Sequence, residues 1–240
     1  MNGWLLKIAW FVGISIWLTA WFTSRSHTKR GRIQAGIYEL QNPFPGSFIG
    51  EKEAQDFLRE INADSAGIPR SEINIALLEE STENHPHIAS AEVYSTLSGI
   101  LRLDVKQRLA LGRVISGTGS YYLTKEGRQM PTSVHYSADI PLINGVLNQE
   151  DDVFISALLT YCQSDNFYQN YWTGFSLKAN KEWVLKPGPD SFKVLFGSSE
   201  HWEKKLKKLK AWRALPEAEL KLEQCRIVDL RFKDQIVCRK

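Results

Sequence analysis

From Trp4 to Phe22 the chain reads WLLKIAWFVGISIWLTAWF, 19 residues whose one charge, Lys7, lies near the edge of the run. At about 1.5 Å per residue a helix of this length spans about 28 Å, enough to cross the hydrocarbon of a bilayer. The run exceeds the apolar part of a signal peptide and no A-x-A-like site follows it. The pattern therefore predicts a retained single-pass transmembrane helix, residues 4–22, behind a short tail of residues 1–3. Of the tryptophans at 4, 10, 17 and 21, two sit near the ends, where indole rings favour the headgroup region. Residues 23–32 then form a basic linker with Arg25, Lys29, Arg30 and Arg32.

Beyond the linker the periodicity changes to short mixed elements. Arg32–Leu40 reads as a strand broken by the prolines of NPFPG. In EKEAQDFLREI, Ala54, Phe57, Leu58 and Ile61 fall at i, i+3, i+4 and i+7, which predicts a core-facing helix. Ile73, Ala76 and Leu77, with Ile75, form a second helical stripe behind Ser71 as a candidate N-cap. Ile88–Thr96 and Ile100–Gln107 alternate around Ser98-Gly99 and read as a hairpin. Residues 33–108 are thus a β-α-α-β-β unit, in which Ala54, Phe57, Leu58, Ile61, Val93 and Val105 should share a core.

Residues 109–240 are strand-rich. Strands are expected at Tyr121–Leu123, Ile140–Ile143, Thr173–Ala179, Glu182–Lys186, Phe192–Phe196, Arg226–Phe232 and Gln235–Arg239. Two helices break the series: Glu150–Tyr161, with Val153, Ala157, Leu158 and Tyr161 on one stripe, and Glu200–Arg213, with Trp202, Leu206 and Leu209 inward and Lys204, Lys205, Lys207, Lys208 and Lys210 mostly toward solvent. The fold class is α+β.

Composition narrows the function. With 43% hydrophobic and 24% charged residues the chain folds, and a net charge of +3 from 30 Lys+Arg and 27 Asp+Glu is too balanced to make nucleic acid a partner. There is no HExxH, GxSxG, Walker loop or GxGxxG, so no catalytic residue and no cofactor is assigned. His85-Pro86-His87 is half a metal site at best and reads as a loop entering a strand. Gly117-Thr118-Gly119-Ser120 reads as a turn, and Glu150-Asp151-Asp152 as a helix-dipole cluster. If Lys233-Asp234 is a two-residue hairpin loop, Cys238 faces Asp229 and the register keeps it from Cys225.

One apolar span, a strand-helix-helix-strand-strand unit and a strand-rich C-terminal part, together with HPHIASAEVYSTLSGILRLDVKQR (85–108), SYYLTKEGRQMP (120–131), FKVLFG (192–197) and IVDLRFKDQIVCRK (227–240), resemble the FtsQ/DivIB family of bacterial cell-division proteins in its Bacteroidetes form. Leu109-Ala110 departs from the family pattern, in which a proline follows the arginine. The resemblance implies a POTRA domain and a β domain outside the cytoplasm, and a scaffold in place of a catalyst. It further implies partners resembling FtsB and FtsL, bound by Asp229, Leu230, Arg231, Phe232, Gln235, Ile236 and Val237 of the C-terminal strands. The implied localisation is the inner membrane, N-terminus cytoplasmic and main domain periplasmic. A bare count of positive charges around the span points the other way, since four follow it and only Lys7 and the terminal amine precede it. Three other readings stay open: a POTRA-type secretion or outer-membrane assembly factor, a membrane-anchored hydrolase, and a basic surface binder using the Lys204–Lys210 helix.

Overall fold

The computed structural model describes residues 10, 12–21, 32–41, 45–60, 67–117, 119–216 and 225–240. Residues 12–21 are helical and exposed. The remainder of the expected span, residues 4–9, 11 and 22, and linker residues 23–31 lie outside the described residues; among the described ones no helix is long and apolar enough to cross a membrane. The chain divides into two compact units, residues 1–42 with 49–107 and residues 43–48 with 108–240.

The first unit carries a three-stranded sheet in the order β1-β3-β2, from β1 (Ala35–Gln41), β2 (Ile88–Ser95) and β3 (Ile100–Gln107), with helices α1 (Glu51–Glu60) and α2 (Ile75–Glu83) between β1 and β2. β1 runs parallel and β2 antiparallel to β3. The β2–β3 turn needs Gly99, whose φ of 86° places it in the left-handed region. Val93, Val105, Leu78, Ile88, Leu101 and Leu103 are buried together, and Phe57 packs half-buried against them. Ala54 is buried, while the side chain of Leu58 and all of Ile61 lie outside the described residues.

The second helical stripe is displaced from its expected position. Ser71 sits in a 3-10 turn, Arg70–Glu72, and Asn74 is the cap, its side chain accepting from Leu77 N at 3.1 Å. Starting the helix three residues later turns Leu78 and Thr82 to the core and leaves Leu77 exposed. The same helix covers the sheet's β2 edge. Glu79 Oε1 accepts from Val93 N at 2.8 Å and Glu83 Oε1 from Ala91 N at 3.0 Å, so backbone donors that would invite another strand are occupied.

The second unit is built on a nine-stranded sheet. It comprises β4 (Ala110–Ser116), β5 (Gly119–Thr124), β6 (Gln129–Pro131), β7 (Leu142–Asn144), β8 (Trp172–Leu177), β9 (Trp183–Pro187), β10 (Lys193–Gly197), β11 (Ile227–Asp229) and β12 (Val237–Arg239). The strand order is β12-β11-β10-β9-β8-β7-β4-β5-β6. Helices α3 (Gln149–Ser164) and α4 (Trp202–Arg213) bury Ile155, Leu158, Leu206 and Leu209 with Phe175, Trp183, Leu185, Val194 and Phe196 of the sheet. On α3 the buried stripe is Ile155, Leu158, Leu159 and Cys162, so of the expected stripe Val153 and Ala157 face solvent. Phe48 packs with Tyr122, Met130 and Tyr136 in a smaller cluster of this unit.

The acidic start of α3 does more than match a dipole. Asn148 and Asp151 form a capping box, with Asn148 Oδ1 accepting from Asp151 N at 2.8 Å and Asp151 Oδ2 from Asn148 N at 3.0 Å. Asp152 is buried and accepts from Tyr121 Oη at 3.0 Å and Gln129 Nε2 at 2.8 Å, tying the helix to β5 and β6.

Candidate partner-binding edge

A nine-stranded open sheet has two edges. β6 ends in Pro131, which has no backbone donor to offer, whereas β12 is the last paired segment before the C-terminus. β11 lies parallel to β10, with Val194 beside Val228, and β12 returns antiparallel, with Val228 beside Cys238 and Asp229 beside Val237. Leu230 N donates to Leu195 O at 2.9 Å, extending the β10 contact one residue past β11.

The register corrects two expectations. Residues 230–236 connect β11 to β12, so the junction is no two-residue hairpin and Arg231 and Phe232 do not alternate along a strand. The longer loop shifts β12 by one residue, and Cys238 forms a disulfide with Cys225 across a Cα–Cα distance of 5.5 Å. That bridge fastens the edge strand to the segment entering β11.

Asp229 organises the site. Its side chain is fully buried, and its Oδ1 accepts from Arg231 N at 3.1 Å and Arg231 Nε at 3.0 Å. Its Oδ2 accepts from Arg231 Nη2 at 2.8 Å and Arg239 Nη2 at 2.7 Å. The Arg231 guanidinium beside it, with further help from Arg239, holds the carboxyl below its ordinary range despite burial. Arg231 Nη1 reaches on to Glu182 Oε1 of the β8–β9 turn at 3.1 Å. Arg231 is thus a structural clamp as well as a half-exposed cation, and a charge reversal there would crowd three carboxylates. A stability-neutral Arg231→Glu is not expected from this geometry.

α4, read as a solvated basic face, is partly engaged by the same region. Lys208 Nζ donates to Leu230 O at 3.3 Å, to Gln235 O at 3.1 Å and to Phe232 O, an ammonium caged by three carbonyls of the β11–β12 loop. Desolvation lowers its pKa from the usual lysine value. Lys205 donates to Ser198 O at 2.7 Å and Lys210 pairs with Asp165 at 2.7 Å. No spacing in the sequence announces the Lys208 cage, because its acceptors are backbone atoms 22 to 27 residues away.

The seven expected partner-binding residues fall into two groups. Asp229 and Leu230 are buried, so they shape the edge and cannot be read from outside. Arg231, Phe232 and Gln235 are exposed, Phe232 at 41%, while Ile236 and Val237 are half-buried. The loop caged by Lys208 thus carries the exposed Phe232 ring in the connection that leads into the edge strand β12.

Elsewhere the chemistry is sparse. The His85 and His87 rings lie 5.3 Å apart, tilted by 48°, in the turn before β2, and among the described residues no group of three His, Cys, Asp or Glu could hold a metal ion. Free Cys162 is buried, which pushes its thiol up to about 12, far from a thiolate nucleophile.

A family model described as FtsQ/DivIB, C-terminal related, matches residues 110–239, and a POTRA-like domain model matches residues 39–106. The cell division protein FtsQ of Rhodothermus marinus is 26% identical over 206 residues, covering 80% of this chain and 75% of the relative. The major extracytoplasmic domain of the cell division protein DivIB from Geobacillus stearothermophilus aligns with 45% of this chain and 98% of its own, at 12% identity and a TM-score of 0.34. Since the FtsQ/DivIB model alone accounts for more than half of its residues, the chain belongs to the FtsQ/DivIB family.

Proposed function

We propose that this chain is a single-pass membrane scaffold of the bacterial cell-division machinery, which binds FtsB-like and FtsL-like partners by strand addition at β12. The observation that carries the reading is the difference between the two edges of the large sheet. β6 finishes in proline, whereas β12 has no further strand beside it among the described residues and is flanked by the exposed Phe232. Backbone groups at such an edge bind an extended segment with little demand on its sequence, and a surface aromatic adds selectivity. Family membership supplies the setting, and the relative's name, cell division protein, agrees with it.

Residues 4–22 serve as the anchor, with the two folded units on the periplasmic side. The Cys225–Cys238 disulfide supports that orientation against the positive-charge count, because structural disulfides persist in oxidising compartments and are rare in the cytoplasm. Long domains also translocate largely without regard to nearby charge.

The test is partner capture by the full chain in detergent with the extracytoplasmic segments of FtsB-like and FtsL-like proteins of the same cell. Because Asp229 faces Val237 across the β11–β12 pair, the Val237 amide is turned to β11 and that of Ile236 away from it; Ile236→Pro and Phe232→Ala are therefore expected to weaken binding by about tenfold or more with folding retained. Wild-type affinity in both variants would move the site away from β12. Alkaline phosphatase fused after Arg239 is expected to be active; an inactive fusion with an active cytoplasmic reporter at the same place would overturn the orientation.

A further inference from the structure

The register of the large sheet sets Phe175, Leu185, Val194, Val228 and Cys238 side by side in one row, on the face that packs against α3 and α4. The first four are buried. Cys238, which ends the row on β12, is exposed, while its disulfide partner Cys225 is a core residue at 2% exposure. The bridge therefore joins a sulfur of the core to a sulfur of the edge strand.

The backbone of the same residue faces outward. The Val237 amide is turned to β11 and backbone groups alternate along a strand, so the N–H and C=O of Cys238 point away from the sheet. Apart from the bridge, β12 is a three-residue strand. It is held to β11 by its ladder with Ile227, Val228 and Asp229, by the bond from Arg226 N to Arg239 O at 2.9 Å and by the Arg239–Asp229 ion pair at 2.7 Å. So short a ladder gains little over the entropy lost in ordering its own backbone. A covalent tether from position 238 to the core removes that freedom at the residue whose amide and carbonyl an added strand would meet.

We infer that Cys225–Cys238 is a thiol–disulfide exchange site, through which a dithiol reductant switches off the β12 edge and from which a bound partner strand shuts that reductant out. The inference rests on the strand-addition reading. Exchange begins at the exposed sulfur. A thiolate of the reductant attacks Cys238 Sγ, the S–S bond breaks, and Cys225 leaves as a thiolate and takes up a proton. The reductant's second thiolate then attacks the mixed disulfide and frees Cys238, which is protonated in turn. The reductant ends as a disulfide, and the chain has gained two electrons and two protons. Once reduced, β12 frays, and the fraction of chains that present a formed edge falls. A strand added beside β12 sets one of its side chains about 5 Å from that of Cys238 on the same face, over the sulfur that must be attacked. Partner binding and the oxidised state therefore favour each other, as linkage requires.

The experiment uses the full chain in detergent, the extracytoplasmic segment of the FtsB-like protein and dithiothreitol as the dithiol. By calorimetry, the reduced chain and Cys238→Ser are expected to bind the segment about tenfold or more weakly than the oxidised chain. Hydrogen exchange should quicken in residues 236–240 on reduction while β9 and β10 stay protected. The segment at about ten times its Kd should slow the appearance of alkylated Cys238, read by peptide mass, by about tenfold. A thioredoxin-type probe lacking its resolving cysteine should be trapped on Cys238. Equal affinity of the oxidised and reduced chains, or a reduction rate indifferent to the segment, would overturn the inference. So would trapping on Cys225, or loss of protection in β9 and β10 on reduction, which would make the bridge a support of the whole sheet. If Ile236→Pro weakens binding by the oxidised chain and reduction does not, strand addition stands and the exchange site falls; if Ile236→Pro has no effect on the oxidised chain, the strand-addition reading itself falls.

Discussion

Asp229→Asn is the perturbation that most directly probes why the C-terminal edge keeps its shape. The buried carboxylate accepts four hydrogen bonds, three from Arg231 and one from Arg239. Asparagine retains one acceptor oxygen and turns an NH2 group toward guanidinium donors, so at least the bonds on one oxygen are lost. Bonds to a charged group contribute about 1.5–3 kcal/mol each when buried. Side chains of Arg231 and Arg239 are 36% and 47% exposed, however, so water recovers part of that loss. The expected net cost is about 2–4 kcal/mol, read from urea unfolding of the oxidised protein. The carboxyl is depressed in the folded state, so its contribution is fully present above the unfolded value of about 4 and disappears as pH falls through the lower folded value. Wild type should lose stability over that acid window more steeply than Asp229→Asn. Arg231→Gln, made alone and together with Asp229→Asn, completes a double-mutant cycle whose coupling should exceed about 1 kcal/mol. A cost below about 0.5 kcal/mol for Asp229→Asn alone, or strict additivity in the cycle, would refute the reasoning.

Reduction of Cys225–Cys238, or Cys225→Ser, opens a loop of 13 residues and is expected to cost about 3 kcal/mol in the chain-entropy account, checked by urea unfolding with and without reductant. Leu78→Ala removes a fully buried side chain of the first unit and should cost about 2–5 kcal/mol, whereas Leu77→Ala, half exposed, should change little; equal effects would refute the α2 facing. Lys208→Met removes the donor to three loop carbonyls, and hydrogen exchange of residues 231–236 should quicken while α4 itself stays protected.

Much of the fold is legible in the sequence because its elements obey local rules. The alternation of Ile88–Thr96 and Ile100–Gln107 around Ser98-Gly99 identifies β2 and β3, and the stripe Trp202, Leu206, Leu209 identifies the buried face of α4. Where competing local signals lie close together, phase is lost. Ser71 and Asn74 are both good caps, and the choice of Asn74 rotates the buried stripe from Leu77 to Leu78. On α3, Asp152 and Ser156 are buried, so a stripe drawn from apolar residues alone settles on Val153 and Ala157. Three-residue β6 is too short to show a period of two. At the candidate site, the family resemblance draws attention to the C-terminal strands, but the loop length is not readable from Lys233-Asp234, and with it the register that sets Cys238 beside Val228; the bridge to Cys225 depends further on how the chain enters β11. The Lys208 cage is a product of tertiary packing, which no spacing along the chain encodes.

Strand addition at β12 makes a specific claim about backbone amides, and hydrogen exchange of the oxidised full chain with and without the FtsB-like extracytoplasmic segment reads it directly. The account predicts that alternate amides within residues 236–240, those facing away from β11, gain protection on binding, while the amides of β6 at the opposite edge stay unchanged. Protection confined to the first unit, or none in residues 236–240 at saturating partner, would contradict it.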